Sequence, residues 1–318
     1  MKIVVLDGYT LNPGDLSWDA LGALGELSVY DRTPDDLIVQ RISDAPYIYV
    51  NKTPMTRETM AQCPSLKFIG VLATGYNVVD VEAAKELGIT VCNVPVYGTT
   101  AVAQMVFALL LEVCHHVGDH DQAVKQGDWT KSIDFCFSNH PLIELGGKTM
   151  GIIGYGRIGQ ATARLAKAFG MRVIAYDTVE PTNQDDVVRF VSLDELYQSC
   201  DVISLHCPLM ASTEGMICKD NIDRMKDGVI IINTSRGGLV VEQDMKDALE
   251  AGKVYSFAAD VVATEPILAY NPLLTAPRTF LTPHIAWAPK EARQRLLTTA
   301  VENLEAFMDG KPQNVVNP

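Results

Sequence analysis

Three side chains suited to acid–base and anion chemistry lie in the last third of the chain. They are Arg236 in Ile231-Ile232-Asn233-Thr234-Ser235-Arg236-Gly237, Glu265 in Asp260-Val261-Val262-Ala263-Thr264-Glu265-Pro266, and His284 in Thr282-Pro283-His284-Ile285-Ala286-Trp287. Each follows a short apolar run that reads as a strand, so all three are expected at strand ends, where open α/β sheets bind ligands. A guanidinium there can hold and polarise a carboxylate and a carbonyl, and an imidazole can protonate a newly formed alkoxide. A carboxylate beside the imidazole favours its charged form and keeps it loaded near neutral pH. These are the groups that hydride transfer to a 2-keto acid needs. Singly, each has an ordinary reading: a salt-bridged arginine, a turn-opening glutamate, a packed loop histidine. Their joint position downstream of a nucleotide motif favours the catalytic reading.

That motif is residues 150–159, M-G-I-I-G-Y-G-R-I-G, with glycines at 154, 156 and 159 between a predicted strand and a predicted helix. Gly154 would permit the tight turn, Gly156 the approach of a pyrophosphate, and Gly159 the close packing of helix on strand. The helix start offers free amides and a positive dipole end to phosphates. The next strand, R-V-I-A-Y, ends in Asp177, which can accept hydrogen bonds from a ribose and would repel a 2′-phosphate. The expected cofactor is NAD (NADH) rather than NADP.

The elements that must position these groups alternate along the whole chain. Residues 2–6, 27–30, 47–50, 66–71 and 90–93 read as strands, with helices such as 56–62 and 80–87 between them. A second series reads as strands at 149–153, 172–176, 202–205, 229–233, 256–260 and 279–281. Such alternation gives parallel sheets covered by helices on both faces, an α/β fold. Residues 99–117 read as an apolar helix leaving the first unit, and 118–147 as an irregular arm carrying Trp129, Phe135 and Phe137, expected to pack on another subunit. The last helix is expected to open with Pro289 in its first turn and to end before Gly310, with Ala292, Leu296, Ala300, Leu304 and Met308 on one face. A cleft between the two units is the natural place for chemistry.

Composition narrows the class. A formal charge of -13, from 39 acids against 26 basic residues, repels phosphate backbones, so nucleic acid is not an expected partner. Seven scattered cysteines without a C-x-x-C pair argue against a disulfide framework and fit reduced thiols in a cytoplasmic protein. The N-terminus is too short in apolar residues for a signal peptide, and no run reaches membrane-spanning length. His115, His116 and His120 form H-H-x-x-x-H, yet no carboxylate motif accompanies them; a helix end favoured by imidazole is the preferred reading, and no metal is expected. His206 reads as structural, and the pairs Asp35-Asp36 and Asp185-Asp186 as solvated turns or helix starts.

The sequence resembles the D-isomer-specific 2-hydroxyacid dehydrogenases over nearly its whole length. The resemblance is carried by LKFIGVLATGYNVVD (66–80), NVPVYGTTAVAQMVFALLLE (93–112), GIIGYGRIG (151–159), LHCPL (205–209), NTSRGGLV (233–240), DVVATEP (260–266) and TPHIAWA (282–288). It implies two Rossmann-like, doubly wound parallel-sheet domains. An NAD-binding domain at 100–287, with a dimerisation arm about 118–147, would be inserted into a discontinuous flavodoxin-like substrate domain at 1–99 plus 288–318. It implies a homodimer, Arg236 as substrate binder, Glu265 as partner of the histidine, and His284 as proton donor. Cofactor contacts carried over by position are Thr100, Arg157, Ile158, Asp177, Cys207, Pro208, Thr213, Thr234, Asp260 and His284. Asn51-Lys52 and the turn carrying Thr74, Gly75 and Tyr76 lie where the family offers backbone amides to the substrate carboxylate, though an ordinary strand-to-helix turn fits as well.

Trp287 after the histidine is similar to the glycerate dehydrogenases (hydroxypyruvate reductases), although it could equally pack a hinge. The chain departs from the common pattern at Asn77-Val78-Val79-Asp80, where the family often has D-N-V-D, and at Val102-Ala103-Gln104, where it often has V-A-E. The first departure touches the loop expected to face substrate. The expected substrate is therefore a small D-2-hydroxy or 2-keto acid, D-glycerate/hydroxypyruvate first, with D-lactate or another 2-hydroxy acid as alternative. An NADH-sensing corepressor is a reading of another class; it would be expected to carry interaction tails, which this sequence does not suggest.

Overall fold

The computed structural model describes residues 1–179 and 188–318; the pair Asp185-Asp186 lies outside them. The chain divides into two compact units, Met1–Gly98 with Trp287–Pro318, and Thr99–Ala286. The second is thus inserted between two stretches of the first.

The first unit is built on β1 (Lys2–Val5), β2 (Glu26–Val29), β3 (Tyr47–Val50), β4 (Phe68–Val71) and β5 (Thr90–Cys92). Its sheet order is β2-β1-β3-β4-β5 and every pairing is parallel, the flavodoxin-like order. Strands β3 and β4 are buried at every position, as in a sheet covered on both faces. One face packs on the helix Lys290–Met308, whose Leu296, Leu297, Ala300, Val301 and Leu304 are buried. Pro289 is the N-cap rather than a first-turn residue, and Met308 is exposed. Arg293 on this helix binds Asp15 through two nitrogens at 2.7 Å each and donates to the carbonyl of Leu11. The Asp80 carboxylate accepts the amide of Ala83 at 2.9 Å and starts the helix Val81–Glu86, which Gly88 ends at φ 71°.

The second unit carries β6 (Thr149–Ile153), β7 (Arg172–Tyr176), β8 (Arg189–Phe190), β9 (Val202–Leu205), β10 (Val229–Asn233), β11 (Val254–Ala259) and β12 (Thr279–Leu281). Its order is β12-β11-β10-β9-β6-β7-β8, all parallel. The connection from β6 runs to β7 on one side and the chain then returns to β9 on the other. That reversal is the switch point at which doubly wound sheets bind dinucleotides.

The expectation that 118–147 is irregular throughout is corrected. The first helix ends at His115, His116 turns left-handed at φ 47°, and a second helix runs over Val117–Lys125. Gly118 and two aspartates hide that helix in the sequence, while Lys125 paired with Asp121 at 2.6 Å and the packed Ala123 hold it. Beyond it, Trp129 and Phe135 are exposed, and Ile133 fully so. Among the described residues no single helix is long and apolar enough to cross a membrane.

Candidate active site

Because all seven strands of the second sheet are parallel, their carboxyl ends share one edge. In spatial order this edge presents His284 after β12, Asp260 and Glu265 after β11, Thr234 and Arg236 after β10, Cys207 and Pro208 after β9, the glycine turn after β6, and Asp177 after β7. At about 4.8 Å per strand, the six ends span roughly 24 Å. A dinucleotide fits along such a row.

The glycine turn fits that ligand in detail. Gly154 has φ 94°, and a Cβ on it would stand 2.5 Å from the amide nitrogen of Cys207, so only glycine lets the turn pass the end of β9. A Cβ on Gly156 would meet nothing within 4 Å, leaving open space beside the start of the helix Arg157–Ala168, which no side chain caps. Gly159 sits against the carbonyl of Gly154, where a Cβ would be 2.2 Å away. Arg157 and Ile158 form the first turn of this helix. Asp177 reaches back over the turn: its Oδ2 accepts the amide of Tyr155 at 2.6 Å, and its Oδ1 accepts that of Val179 at 3.3 Å. Among the described residues the buried hydroxyl of Thr234 lacks a hydrogen-bond partner, as a ligand contact would. The site suits NAD, which would rest on the turn amides and the Asp177 carboxylate.

Other residues expected at the cofactor occupy defined positions. The Thr213 hydroxyl donates to the carbonyl of Pro208 at 2.7 Å and accepts the amide of Met210 at 2.9 Å, closing the turn after β9. Cys207 is half-buried, and burial pushes its thiol up to about 11, so it is inert as a nucleophile. Thr100 is exposed in the first turn of Thr99–His115. His206 shares a 2.9 Å hydrogen bond with the buried hydroxyl of Ser204, and burial pushes its imidazole down to about 3. It stays neutral.

The expected contact between His284 and Glu265 is present. His284 Nδ1 lies 2.6 Å from Glu265 Oε2, both side chains being somewhat over one-third exposed. The carboxylate can only accept, so Nδ1 donates and the transferable proton belongs on Nε2. His284 is held at φ 56°, an uncommon conformation for a residue with a Cβ. What holds it there is Asp260, 1% exposed, a positioning role the sequence reading missed. Its Oδ1 accepts the Thr282 hydroxyl at 2.6 Å and the Ile285 amide at 2.9 Å, and its Oδ2 accepts the Ala286 amide at 2.7 Å. The Asp260 carbonyl also accepts the His284 amide at 2.8 Å.

Arg236 is exposed and donates to the carbonyl of Ser235 at 2.7 Å; among the described residues no carboxylate pairs with it. Its turn is fixed by the Asn233 side chain, which donates to the Arg236 carbonyl at 2.9 Å and accepts the Ser235 amide at 3.0 Å. The next residue, Gly237, lies so close to the β11 loop that a Cβ would stand 1.9 Å from the carbonyl carbon of Val262. The arginine and glutamate segments are therefore in direct backbone contact.

In the first unit, the reading of Asn51-Lys52 as amide donors to substrate is corrected. The Asp7 carboxylate already accepts the amides of Asn51, Lys52 and Thr53 at 2.8, 2.5 and 2.8 Å, and the Asn51 side chain donates to Thr10 at 2.5 Å. This is the ordinary strand-to-helix turn. The turn with Thr74, Gly75 and Tyr76 is anchored from behind: the Thr74 hydroxyl donates to the Val94 carbonyl and Asn93 to the Thr74 carbonyl. Trp287 packs edge-on to Tyr97, ring centroids 6.5 Å apart, against the apolar cluster of this unit. The two imidazoles expected on one helical face are split by the turn at His116: His120 Nδ1 faces the His116 carbonyl at 2.9 Å and its Nε2 accepts the Asn139 amide.

Residues 107–286 match the family described as D-isomer specific 2-hydroxyacid dehydrogenase, NAD binding domain. The chain is 60% identical to a hydroxypyruvate reductase of Blautia hydrogenotrophica, covering all of both chains. It is 43% identical to a glycerate dehydrogenase of Methylorubrum extorquens, covering 99% of this chain and 98% of that one. A solved apo-structure of D-lactate dehydrogenase from Escherichia coli superimposes with TM-score 0.87 at 28% identity, covering 99% of this chain and 100% of that chain. With two parallel sheets, a dinucleotide turn and a histidine–carboxylate pair at one sheet edge, the chain belongs to the D-isomer specific 2-hydroxyacid dehydrogenases and is an NAD-dependent oxidoreductase acting on CH–OH donors.

Proposed function

We propose that the enzyme interconverts D-glycerate and hydroxypyruvate. The observation that carries the chemistry is the 2.6 Å contact between His284 and Glu265 at the edge that also bears Arg236. The choice of substrate is supported by the full-length likeness to the hydroxypyruvate reductase and to the glycerate dehydrogenase. When bound, NADH supplies a hydride to the keto carbon of the substrate. Arg236 binds the substrate carboxylate and polarises the carbonyl, a charge-assisted and bidentate task for which guanidinium is suited. His284 gives its Nε2 proton to the carbonyl oxygen as negative charge builds there. Glu265 supports the charged imidazole before transfer and keeps the ring oriented. In the oxidative direction the same imidazole removes the hydroxyl proton.

The unit Met1–Gly98 with Trp287–Pro318 is assigned to substrate binding, through the amides of residues 74–76, with Trp287 bordering the substrate. Thr100, Arg157, Ile158, Asp177, Cys207, Pro208, Thr213 and Thr234 are assigned to the NAD site, whereas Asp260, expected there too, is filled by its bonds to the loop that carries His284. The working form is proposed to be a cytoplasmic homodimer joined through the arm of the second unit, with neither nucleic acid nor membrane as partner. The likeness to a D-lactate dehydrogenase favours pyruvate as the competing substrate. Steady-state rates with hydroxypyruvate, glyoxylate, pyruvate and 2-ketoisocaproate, each with NADH and NADPH, test the proposal. Hydroxypyruvate with NADH should have the highest kcat/KM; a preference for pyruvate would move the enzyme to the second reading.

A further inference from the structure

Glu242 opens the helix Glu242–Glu250 and belongs to none of the groups assigned above. Its Oε1 accepts the amide of Ala263 at 2.9 Å, and its Oε2 accepts the Asn271 side-chain nitrogen at 2.9 Å. Asn271 is buried; its Oδ1 accepts the Leu273 amide at 2.9 Å, and its own amide donates to the Leu268 carbonyl at 2.9 Å. One carboxylate therefore grips both ends of the segment 263–271. Between those ends, residues 263–267 are all exposed, so apolar packing gives the segment little rigidity of its own. Yet Glu265, inside it, must keep an oxygen within 2.6 Å of His284. On its other side Glu242 follows Arg236 through the short turn Gly237–Leu239, the turn that touches Val262.

We infer that Glu242 is a positioning residue for the reaction: with Asn271 it fixes the exposed segment so that Glu265 stays on His284, and it ties that segment to the turn carrying Arg236. An acid in the first turn of a helix also has a plain electrostatic benefit at the positive dipole end. The two roles separate by measurement. Dipole and loop stability alone would alter unfolding, whereas a positioning role alters the proton step.

The inference rests on His284 being the proton donor, so His284→Gln is the reference: its residual reductive activity should lose the alkaline limb of the pH–rate profile. Glu242→Ala should displace that limb from its wild-type position, because Glu265 is no longer held against the imidazole. At pH 8 its kcat/KM with hydroxypyruvate and NADH should fall about 3–10-fold, chiefly in kcat, with NADH Kd unchanged within about twofold. Asn271→Ala should act in the same direction but less, because Glu242 keeps its bond to the Ala263 amide, and the two effects should be less than additive in the double variant, since they share the Glu242–Asn271 contact. Glu242→Gln, which keeps a single acceptor and the length of the side chain, should be intermediate and covers the case in which the alanine variant does not fold. A lowered thermal midpoint with the alkaline limb at its wild-type position in all four variants would overturn the role of Glu242. If His284→Gln itself kept the limb, the proton-donor assignment would fail instead.

Discussion

At the scale of single residues, the chemistry depends on one backbone conformation. His284 faces Glu265 only because its φ of 56° is enforced, and the enforcing group is the buried carboxylate of Asp260, whose two oxygens serve three donors on the following loop. An Asp260→Asn substitution keeps the volume but turns one acceptor into a donor facing a backbone amide or a hydroxyl. It should destabilise the protein by about 1–3 kcal/mol and lower kcat/KM by roughly 10²-fold through misplacement of the ring. Urea unfolding and steady-state kinetics would check the two together; wild-type kinetics would show that the loop does not need Asp260. The residue types of the groups proposed to react were legible in the sequence, since histidine, glutamate and arginine each followed an apolar run. The task of Asp260 was not, because it depends on hydrogen bonds to residues 22 to 26 positions away. The Asn51-Lys52 amides misled for a similar reason: their partner, Asp7, is 44 residues or more upstream.

At the scale of elements, buried parallel strands announced themselves by composition. Residues 149–153, 172–176, 202–205, 229–233 and 279–281 are strands with the ends expected of them, because β-branched apolar runs bounded by turns have few other uses. The break at His116 was not legible, since a left-handed residue between two helices leaves no periodic trace. This break has a consequence at acid pH. His116 is buried, its ring stacked at 4.1 Å on His140, which in turn pairs with Asp119 at 2.9 Å. Burial, and then the nearby His140, lower its affinity for a proton below that of an ordinary imidazole. The folded ring thus refuses a proton that the unfolded chain accepts below about pH 6.5, so the stability it confers is complete above that value and declines as pH falls. His116→Asn, which tolerates the same φ, should flatten the decline in thermal midpoint between pH 7.5 and 5.5. An unaltered decline would assign the acid sensitivity to other groups.

At the scale of the whole molecule, strand–helix alternation made two parallel sheets legible, but not the order 2-1-3-4-5 or the switch at β6, which depend on which distant strands pair. The insertion of one unit into the other was legible only through the family likeness, because no local signal marks where the chain leaves a unit and later returns. The exposed Trp129, Ile133 and Phe135 of the arm are the largest apolar argument for a partner copy. Sedimentation should give a dimer mass, and a monomer at micromolar concentration would remove the proposed assembly. The proposed chemistry converges on one edge of the second sheet, where the imidazole at its β12 end would hand over a proton. The most direct measurement is therefore the turnover of His284→Gln with hydroxypyruvate and NADH, beside NADH binding followed by fluorescence. The variant should lose about 10²–10⁴-fold in kcat while binding NADH as tightly as the wild type; turnover equal to that of the wild type would contradict the role of His284 as proton donor.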